Sequence, residues 1–197
     1  MTDLGLRIIG ISGTNGSGKD TVSNILADLL NYKFISVSQF LRQELLKQAK
    51  EINRENTREL SNHLEIKYGK SYLVEEAINQ YKKFKDEFGG LVVSSIRNTN
   101  EASKVKSLNG IMVWVDADPE IRYQRIKDNL NRDRPADDDV SFSDFLKQEN
   151  EEMAYNKNNQ NLNTAEIKIM CDITILNNNN LGSLKKILTE KFLIKSN

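Results

Sequence analysis

The sequence predicts an α/β fold in which a parallel sheet carries helices on both faces. Two observations predict it. Short apolar, β-branched runs alternate with helical patterns along the chain, and strands joined through helices close into a parallel sheet by right-handed crossovers. The first apolar run, Ile8-Ile9-Gly10-Ile11, passes through a glycine-rich turn straight into a helical pattern. In an open sheet of this kind ligands bind beyond the carboxyl ends of the strands, which is where that turn lies.

The turn is Gly13-Thr14-Asn15-Gly16-Ser17-Gly18-Lys19-Asp20-Thr21, with the spacing G-x-x-x-x-G-K in Gly13, Gly18 and Lys19. After it, Val22, Ile25, Leu26, Leu29 and Leu30 recur at i, i+3, i+4, i+7 and i+8 and share one helix face. Strand, glycine-rich turn and helix form the setting of a phosphate-binding loop. Glycines admit positive φ, so successive backbone N–H groups can curl around an anion. The helix starting near Lys19 aims its free N–H groups and positive dipole end at the same point. Lys19 supplies a compact ammonium for the outer phosphates. Asp20 stands where Ser or Thr usually holds magnesium. A carboxylate is a hard oxygen ligand, able to bind Mg²⁺ directly or through water, and Thr21 offers a hydroxyl one residue later. Without a metal, the same carboxylate would repel phosphate.

The remaining elements follow in order. Tyr32 to Val37 reads as a second strand, and Ser38 as the cap of a helix with Phe40, Leu41, Leu45, Leu46, Ala49 and Ile52 apolar. A further helix spans about Arg54 to Tyr68, broken by Gly69, and Ser71 starts another with Leu73, Val74, Ala77, Ile78 and Tyr81 apolar. Gly89-Gly90 closes this all-helical insertion. Leu91-Val92-Val93 is a compact buried strand. Thr99 caps a short helix ended by Asn109-Gly110, and Ile111 to Val115 is apolar throughout, as an interior parallel strand should be. Asp118 and Pro119 open a helix reaching about Leu130. A charged stretch, Asn131 to Asp139, precedes a helix from about Ser141 to Tyr155; Asn156 to Asn163 reads as loop. Ile173-Thr174-Ile175-Leu176 is the last strand, Asn177 to Asn180 a turn, and Leu184, Ile187, Leu188 and Phe192 line a closing helix.

Composition limits the functional classes. A chain of 197 residues suits one domain. Lys plus Arg and Asp plus Glu both number 28, so no global field favours nucleic acid or an anionic membrane. No apolar run approaches membrane-spanning length. The start, Met1-Thr2-Asp3-Leu4-Gly5, lacks a basic region followed by an apolar stretch, and the single cysteine, Cys171, excludes an intramolecular disulfide. Cytoplasmic location is the expectation. Cys171 reads as core, His63 as a surface residue and Trp114 as core; no Cys/His cluster suggests zinc. Monomer and homodimer both remain open.

Arginine is the informative residue type, because phosphoryl transfer needs positioning and charge neutralisation more than covalent chemistry, and guanidinium forks bind phosphate bidentately. Arg42 lies one turn into the helix after the second strand, Arg97 just past the third, Arg125 on the helix after the fourth, and Arg132 and Arg134 in the charged stretch. All of these can converge on the loop. Arg122 reads as an ion-paired or solvated surface residue, and Asp116, ending the fourth strand, as a turn or cap.

These residues resemble a family. Ile35-Ser36-Val37-Ser38-Gln39-Phe40-Leu41-Arg42 is similar to the adenylate kinase stretch I-S-T-G-D-M-L-R, and Val93-Ser94-Ser95-Ile96-Arg97 to its D-G-F-P-R strand end. Asp118-Pro119-Glu120 through Arg125 matches the segment leading into the lid. Arg132-Asp133-Arg134-Pro135-Ala136-Asp137-Asp138 resembles the short lid of archaeal adenylate-kinase-like and dephospho-CoA-kinase-like P-loop proteins, and Asp172 to Asn178 with Leu184 their closing motif.

The resemblance implies a P-loop nucleoside monophosphate kinase fold: a three-layer sandwich with a five-stranded parallel sheet in the order 2-3-1-4-5. It implies a core of about 1–37, 86–130 and 156–197, an acceptor-binding helical insertion of about 38–85, and a lid of about 131–155. ATP and Mg²⁺ would be held by Gly13 to Thr21, with Arg125 and Asn178 toward the nucleotide and Asp20 and Thr21 toward the metal. Ser38, Arg42 and Arg97 would hold a small phosphorylated acceptor, while Lys19, Arg97, Arg132 and Arg134 would neutralise the transferring group. The chain departs from the pattern at Ser94-Ser95, where an acid usually ends the third strand, at Gln39, and at Gln148, where relatives often carry a lid arginine. Those departures leave open a dephospho-CoA-kinase-like enzyme, or a nucleotide-binding regulatory protein with little or no transfer activity.

Overall fold

Five short β-branched runs pair into one sheet, in a computed structural model that describes residues 6–129, 139–153 and 164–193. Strand β1 (Ile8–Gly13) lies at the centre, between β3 (Leu91–Ser94) and β4 (Ile111–Asp116). Strand β2 (Lys33–Ser36) flanks β3, and β5 (Ile173–Leu176) flanks β4, giving the order β2-β3-β1-β4-β5. Every pairing is parallel, with Ile8 opposite Leu91, Gly13 opposite Val115 and Asp116 opposite Leu176. This is the predicted architecture and strand order.

Alternation along each strand divides the core. Ile8, Leu91, Val93 and Met112 face one layer, with α2 (Val37–Lys47), α4 (Tyr72–Tyr81) and α5 (Thr99–Ser107) against them. Ile9, Ile11, Val92, Val113, Val115 and Ile175 face the other, covered by α1 (Lys19–Leu30) and α9 (Leu181–Phe192). Each buried Leu, Ile or Val contributes roughly 1.5–3 kcal/mol, so these two layers hold the fold. Helix α3 (Arg54–Tyr68) differs: it buries only Leu60 and Glu65, leaving a polar face available for other work.

Caps set the helix starts. Ser36, not Ser38, caps α2, accepting from the Gln39 N–H. Asn98, not Thr99, caps α5 in a reciprocal capping box with Glu101. In both cases a competing hydroxyl nearby misdirects the sequence reading. Pro119 opens α6 (Pro119–Asp128), which ends two residues before the predicted Leu130. The predicted helix near 141–155 is α7 (Phe142–Met153). A short helix, α8 (Thr164–Met170), is unforeseen; Ile167 is its one buried residue, too little for a periodic signal. Most of the predicted charged stretch, with Arg132 and Arg134, lies outside the described residues, as does the predicted 156–163 loop. Among the described residues, no helix is long and apolar enough to cross a membrane.

Candidate functional site

The carboxyl ends of β1, β3 and β4 converge on the glycine-rich turn. Gly13 has φ +145°, and a Cβ there would sit 2.0 Å from the Val115 carbonyl oxygen, so no other residue lets β1 leave the sheet beside β4. Gly18 has φ +88°, and a Cβ there would press on the Asn177 amide at 2.6 Å. Between them the bend is tied down. The Thr14 N–H donates to the Val115 carbonyl, and the Ser17 hydroxyl to the Thr14 carbonyl at 2.8 Å. Asn177 Nδ2 donates to the Ser17 carbonyl at 2.8 Å. Helix α1 begins at Lys19 with no side-chain cap, leaving its first N–H groups available to an anion. Lys19 folds back over the bend, its Nζ 3.1 Å from the Gly13 carbonyl and 2.7 Å from that of Thr14. The ammonium is thus stationed at the loop centre.

Strand β3 supplies a hydroxyl where the resemblance leads one to look for an acid. The buried Ser94 donates its Oγ–H to Asp20 Oδ1 at 3.0 Å. The next residue, Ser95, holds φ +69°, unusual for a residue with a side chain, and its hydroxyl reaches Ser38 Oγ at 3.2 Å. Among the described residues, no three His, Cys, Asp or Glu side chains could hold a metal by themselves. One carboxylate with a neighbouring hydroxyl does fit a hard cation that takes its other ligands from water and phosphate oxygens. Asp116 is engaged otherwise: Oδ1 accepts from Thr14 Oγ1 at 2.7 Å and from the Ala117 N–H at 2.9 Å, and Oδ2 from Trp114 Nε1 at 3.3 Å. It is the turn residue the sequence suggests, and it also ties β4 to the loop.

Arg122 corrects the sequence reading. It is ion-paired, but at 3 % exposure it is buried, not at the surface. Its Nε donates to the Ala117 carbonyl at 2.6 Å, its Nη1 to the Asn15 carbonyl at 3.3 Å, and its fork grips Glu149 of α7. The pairing removes the penalty of a lone buried charge and clamps α6, α7 and the loop together. Arg125, on the same helix, has Nη1 buried with no hydrogen-bond partner among the described residues. Asn178 Oδ1 accepts from the Asp118 N–H at 2.8 Å. The buried Asn177, read from the sequence as a turn residue and part of the closing motif, carries the contact with the loop. Thr21 is exposed on α1 and His63 on α3. Cys171 is half-buried, and desolvation pushes its thiol up to about 12, which leaves it protonated and unreactive.

Two cavities open beside the loop. The larger, about 860 Å³ with its mouth, brings together Ser38, Arg42 and Arg97, the three residues the sequence groups there. It adds residues the sequence reading missed: Arg54 and Arg58 of α3, and the buried Glu65, Asn98 and Glu101. A signal for the α3 set was present, since Arg54, Arg58, Ser61 and Glu65 recur at i, i+4, i+7 and i+11 and make a polar face. The smaller cavity is lined by Gly13, Thr14, Phe145, Gln148 and Glu149, among others. Arg54 and Asn15 line both, and Arg54 Nη1 donates to Gln148 Oε1 at 2.8 Å. A guanidinium from α3 therefore meets α7 where the two cavities join.

A family model described as an AAA domain matches residues 9–157. The chain belongs to that family. Its relatives include shikimate kinases, a cytidylate kinase and UPF0200 proteins, in line with the resemblance. It is 33 % identical to a cytidylate kinase of Archaeoglobus fulgidus over 125 residues, which are 64 % of this chain and 63 % of that one. It is 29 % identical over 152 residues to a UPF0200 protein of Methanococcus vannielii, covering 76 % and 79 % of the two chains. Among solved structures it is similar to a shikimate kinase from Bacteroides thetaiotaomicron, with a TM-score of 0.57, 16 % identity and coverage of 94 % and 97 %. At that identity the likeness establishes a shared P-loop kinase fold. The chain is thus a small P-loop kinase by family, with the loop, Lys19 and two adjoining cavities arranged on that fold.

Proposed function

We propose that this P-loop kinase moves the γ-phosphoryl group of ATP to a small phosphorylated acceptor, a nucleoside or deoxynucleoside monophosphate. One observation carries the proposal: Arg42 and Arg97 line a cavity that joins the glycine loop at Asn15. Two guanidiniums fit a phosphate dianion, and their cavity opens where the loop would present the donor phosphates. A cytidylate kinase among the relatives supports the choice of acceptor.

In this reading ATP with Mg²⁺ supplies the phosphoryl group and neutralises part of its charge. The amides of Gly13 to Gly18, together with Lys19, hold the outer phosphates, and Asp20, with Thr21 next to it, faces the metal. Arg125 and Asn178 lie toward the nucleotide; Arg97, with Arg132 and Arg134, balances charge on the transferring group. Arg42 and Ser38 orient the acceptor. An acceptor phosphate is already anionic near neutral pH, so no general base is needed, and the hydroxyls of Ser94 and Ser95 at the strand end suffice. A hydroxyl acceptor, such as that of a dephospho-CoA-kinase-like enzyme, would need a base there. Glu101 lines the same cavity, but its Oε2 is committed to the N–H groups of Arg97 and Asn98.

The test is a panel of nucleoside monophosphates, with dephospho-CoA and shikimate, each incubated with ATP and Mg²⁺. ADP release that depends on a monophosphate is the expected result, and Lys19→Ala lowers that rate on the order of 10²–10³-fold. ATP binding with no acceptor-dependent turnover would instead identify a regulatory nucleotide-binding protein.

A further inference from the structure

The larger cavity has opposite charges along its length. Arg54 and Glu65 project from α3 eleven positions apart, about 16 Å along the helix axis. Arg54 marks the end that meets the glycine loop, because it also lines the second cavity. Glu65 lies three turns along α3 from that junction, and its carboxylate meets the protein at Asn98, the residue after Arg97. Val37, Leu41 and Leu73 add aliphatic side chains to the lining. A mononucleotide entering with its phosphate toward Arg54 would carry its base along α3 toward Glu65.

Glu65 is only 7 % exposed. Its Oε1 accepts two hydrogen bonds, from Ser61 Oγ at 3.2 Å and from Asn98 Nδ2 at 3.2 Å. Asn98 is itself immobilised: Nδ2 also donates to the Lys70 carbonyl, and Oδ1 accepts from the Glu101 N–H. Oε2 accepts no hydrogen bond from a described residue, yet it is not sealed from solvent, and the side chain lines the cavity. A carboxylate with one oxygen held by the protein and the other open to the cavity can accept a donor from a ligand that displaces water there. Desolvation by burial also raises the Glu65 carboxyl from its ordinary value, against the hydrogen bonds from Ser61 and Asn98.

We infer that Glu65 is a specificity-determining residue: its free oxygen accepts a hydrogen bond from an exocyclic amino group on the acceptor's base. The inference rests on the monophosphate reading and adds a choice to it. Cytosine and adenine present an amino group on the edge remote from the sugar; a carboxylate accepts from cytosine N4 in this way. Uracil and hypoxanthine present a carbonyl at the same position, which would face the carboxylate lone pairs and leave it unpaired.

The experiment compares kcat/KM for two pairs differing only by amino for keto, CMP against UMP and AMP against IMP. Calorimetric titration of each monophosphate gives a second readout. In at least one pair the amino member is favoured by about a hundredfold or more, the scale for a site whose buried polar group loses its partner. Glu65→Gln can turn either its oxygen or its NH₂ toward the base, and it compresses the ratio to below about fivefold, chiefly by admitting the keto member. Should that variant fold poorly, the unaltered protein with N4,N4-dimethyl-CMP removes the same donor from the ligand, and binding falls at least tenfold relative to CMP. Monophosphates phosphorylated with no amino preference, or a preference untouched in Glu65→Gln, overturn the role of Glu65 and leave the monophosphate reading standing. No monophosphate bound or phosphorylated overturns that reading itself.

Discussion

Asp20 and Ser94 hold, between them, the two groups the family pattern places the other way round. There a hydroxyl follows the loop lysine and an acid ends the third strand. Here the carboxylate follows Lys19, the hydroxyl ends β3, and the two meet at 3.0 Å. Moving the carboxylate across that hydrogen bond keeps one hard oxygen charge and one hydroxyl at the same spot, so the chemistry available to a divalent cation is preserved. An exchange of this sort predicts reciprocal rescue. Asp20→Ser leaves two hydroxyls and removes most of the Mg²⁺ dependence of ATP affinity, measured by titration with and without the metal. Asp20→Ser combined with Ser94→Asp restores at least half of that dependence. A double variant no better than the single one would show that the two positions are not interchangeable.

The helices differ in how legible they are. Those packed on the sheet announce themselves through apolar spacing: Val22 and Leu26 in α1, Leu184 and Leu188 in α9, all buried as read. The five strands are legible as short apolar runs, each with a glycine or asparagine within two residues of one end. The loop is legible because its spacing follows from backbone geometry alone. What α3 does is harder to see, since residues that line a cavity carry no hydrophobic period. Arg122 was misread because an arginine two positions from Gln124 and six from Asp128 looks solvated until Glu149, far along the chain, arrives to pair with it. Helix α5 carries a further consequence. Its N-terminal Glu101 is 1 % exposed and accepts from the Arg97 and Asn98 N–H groups, yet desolvation, with the nearby Glu65 charge adding to it, pushes its pKa from 4.5 to about 7. The folded state therefore binds this proton more tightly than the unfolded chain does. Its contribution to stability is complete below about pH 4.5 and is lost as pH rises through 7, a change of roughly 3 kcal/mol. Denaturant midpoints of the native protein are expected to fall between pH 5 and 8, and in Glu101→Gln that decline flattens. A native midpoint that rises over the same range would show the carboxylate to be better solvated than its burial indicates.

For the molecule as a whole, the arrangement of two cavities around two shared residues implies coupling. Asn15 and Arg54 line both, and Arg54 is hydrogen-bonded to Gln148 of α7. A guanidinium delivered from the opposite side can occupy the gap between donor and acceptor phosphates, where like charges must otherwise repel. Each ligand alone stabilises the fold by mass action, about 2.7 kcal/mol at a hundred times its dissociation constant. If Arg54 screens the two sets of phosphates from each other, the pair stabilises by more than the sum of the single effects, since each ligand improves the other's affinity by the same factor. ATP without a transferable γ-phosphoryl group, tested with and without a monophosphate, measures that excess through melting temperature and titration. We expect at least a tenfold mutual gain in affinity. In Arg54→Ala the gain disappears while each ligand alone still binds within a few-fold of its original strength, because Lys19, Arg42 and Arg97 remain. Strictly additive binding in the native protein would place Arg54 as a spacer between α3 and α7, and charge balance at the junction would then have to come from the arginines preceding α7.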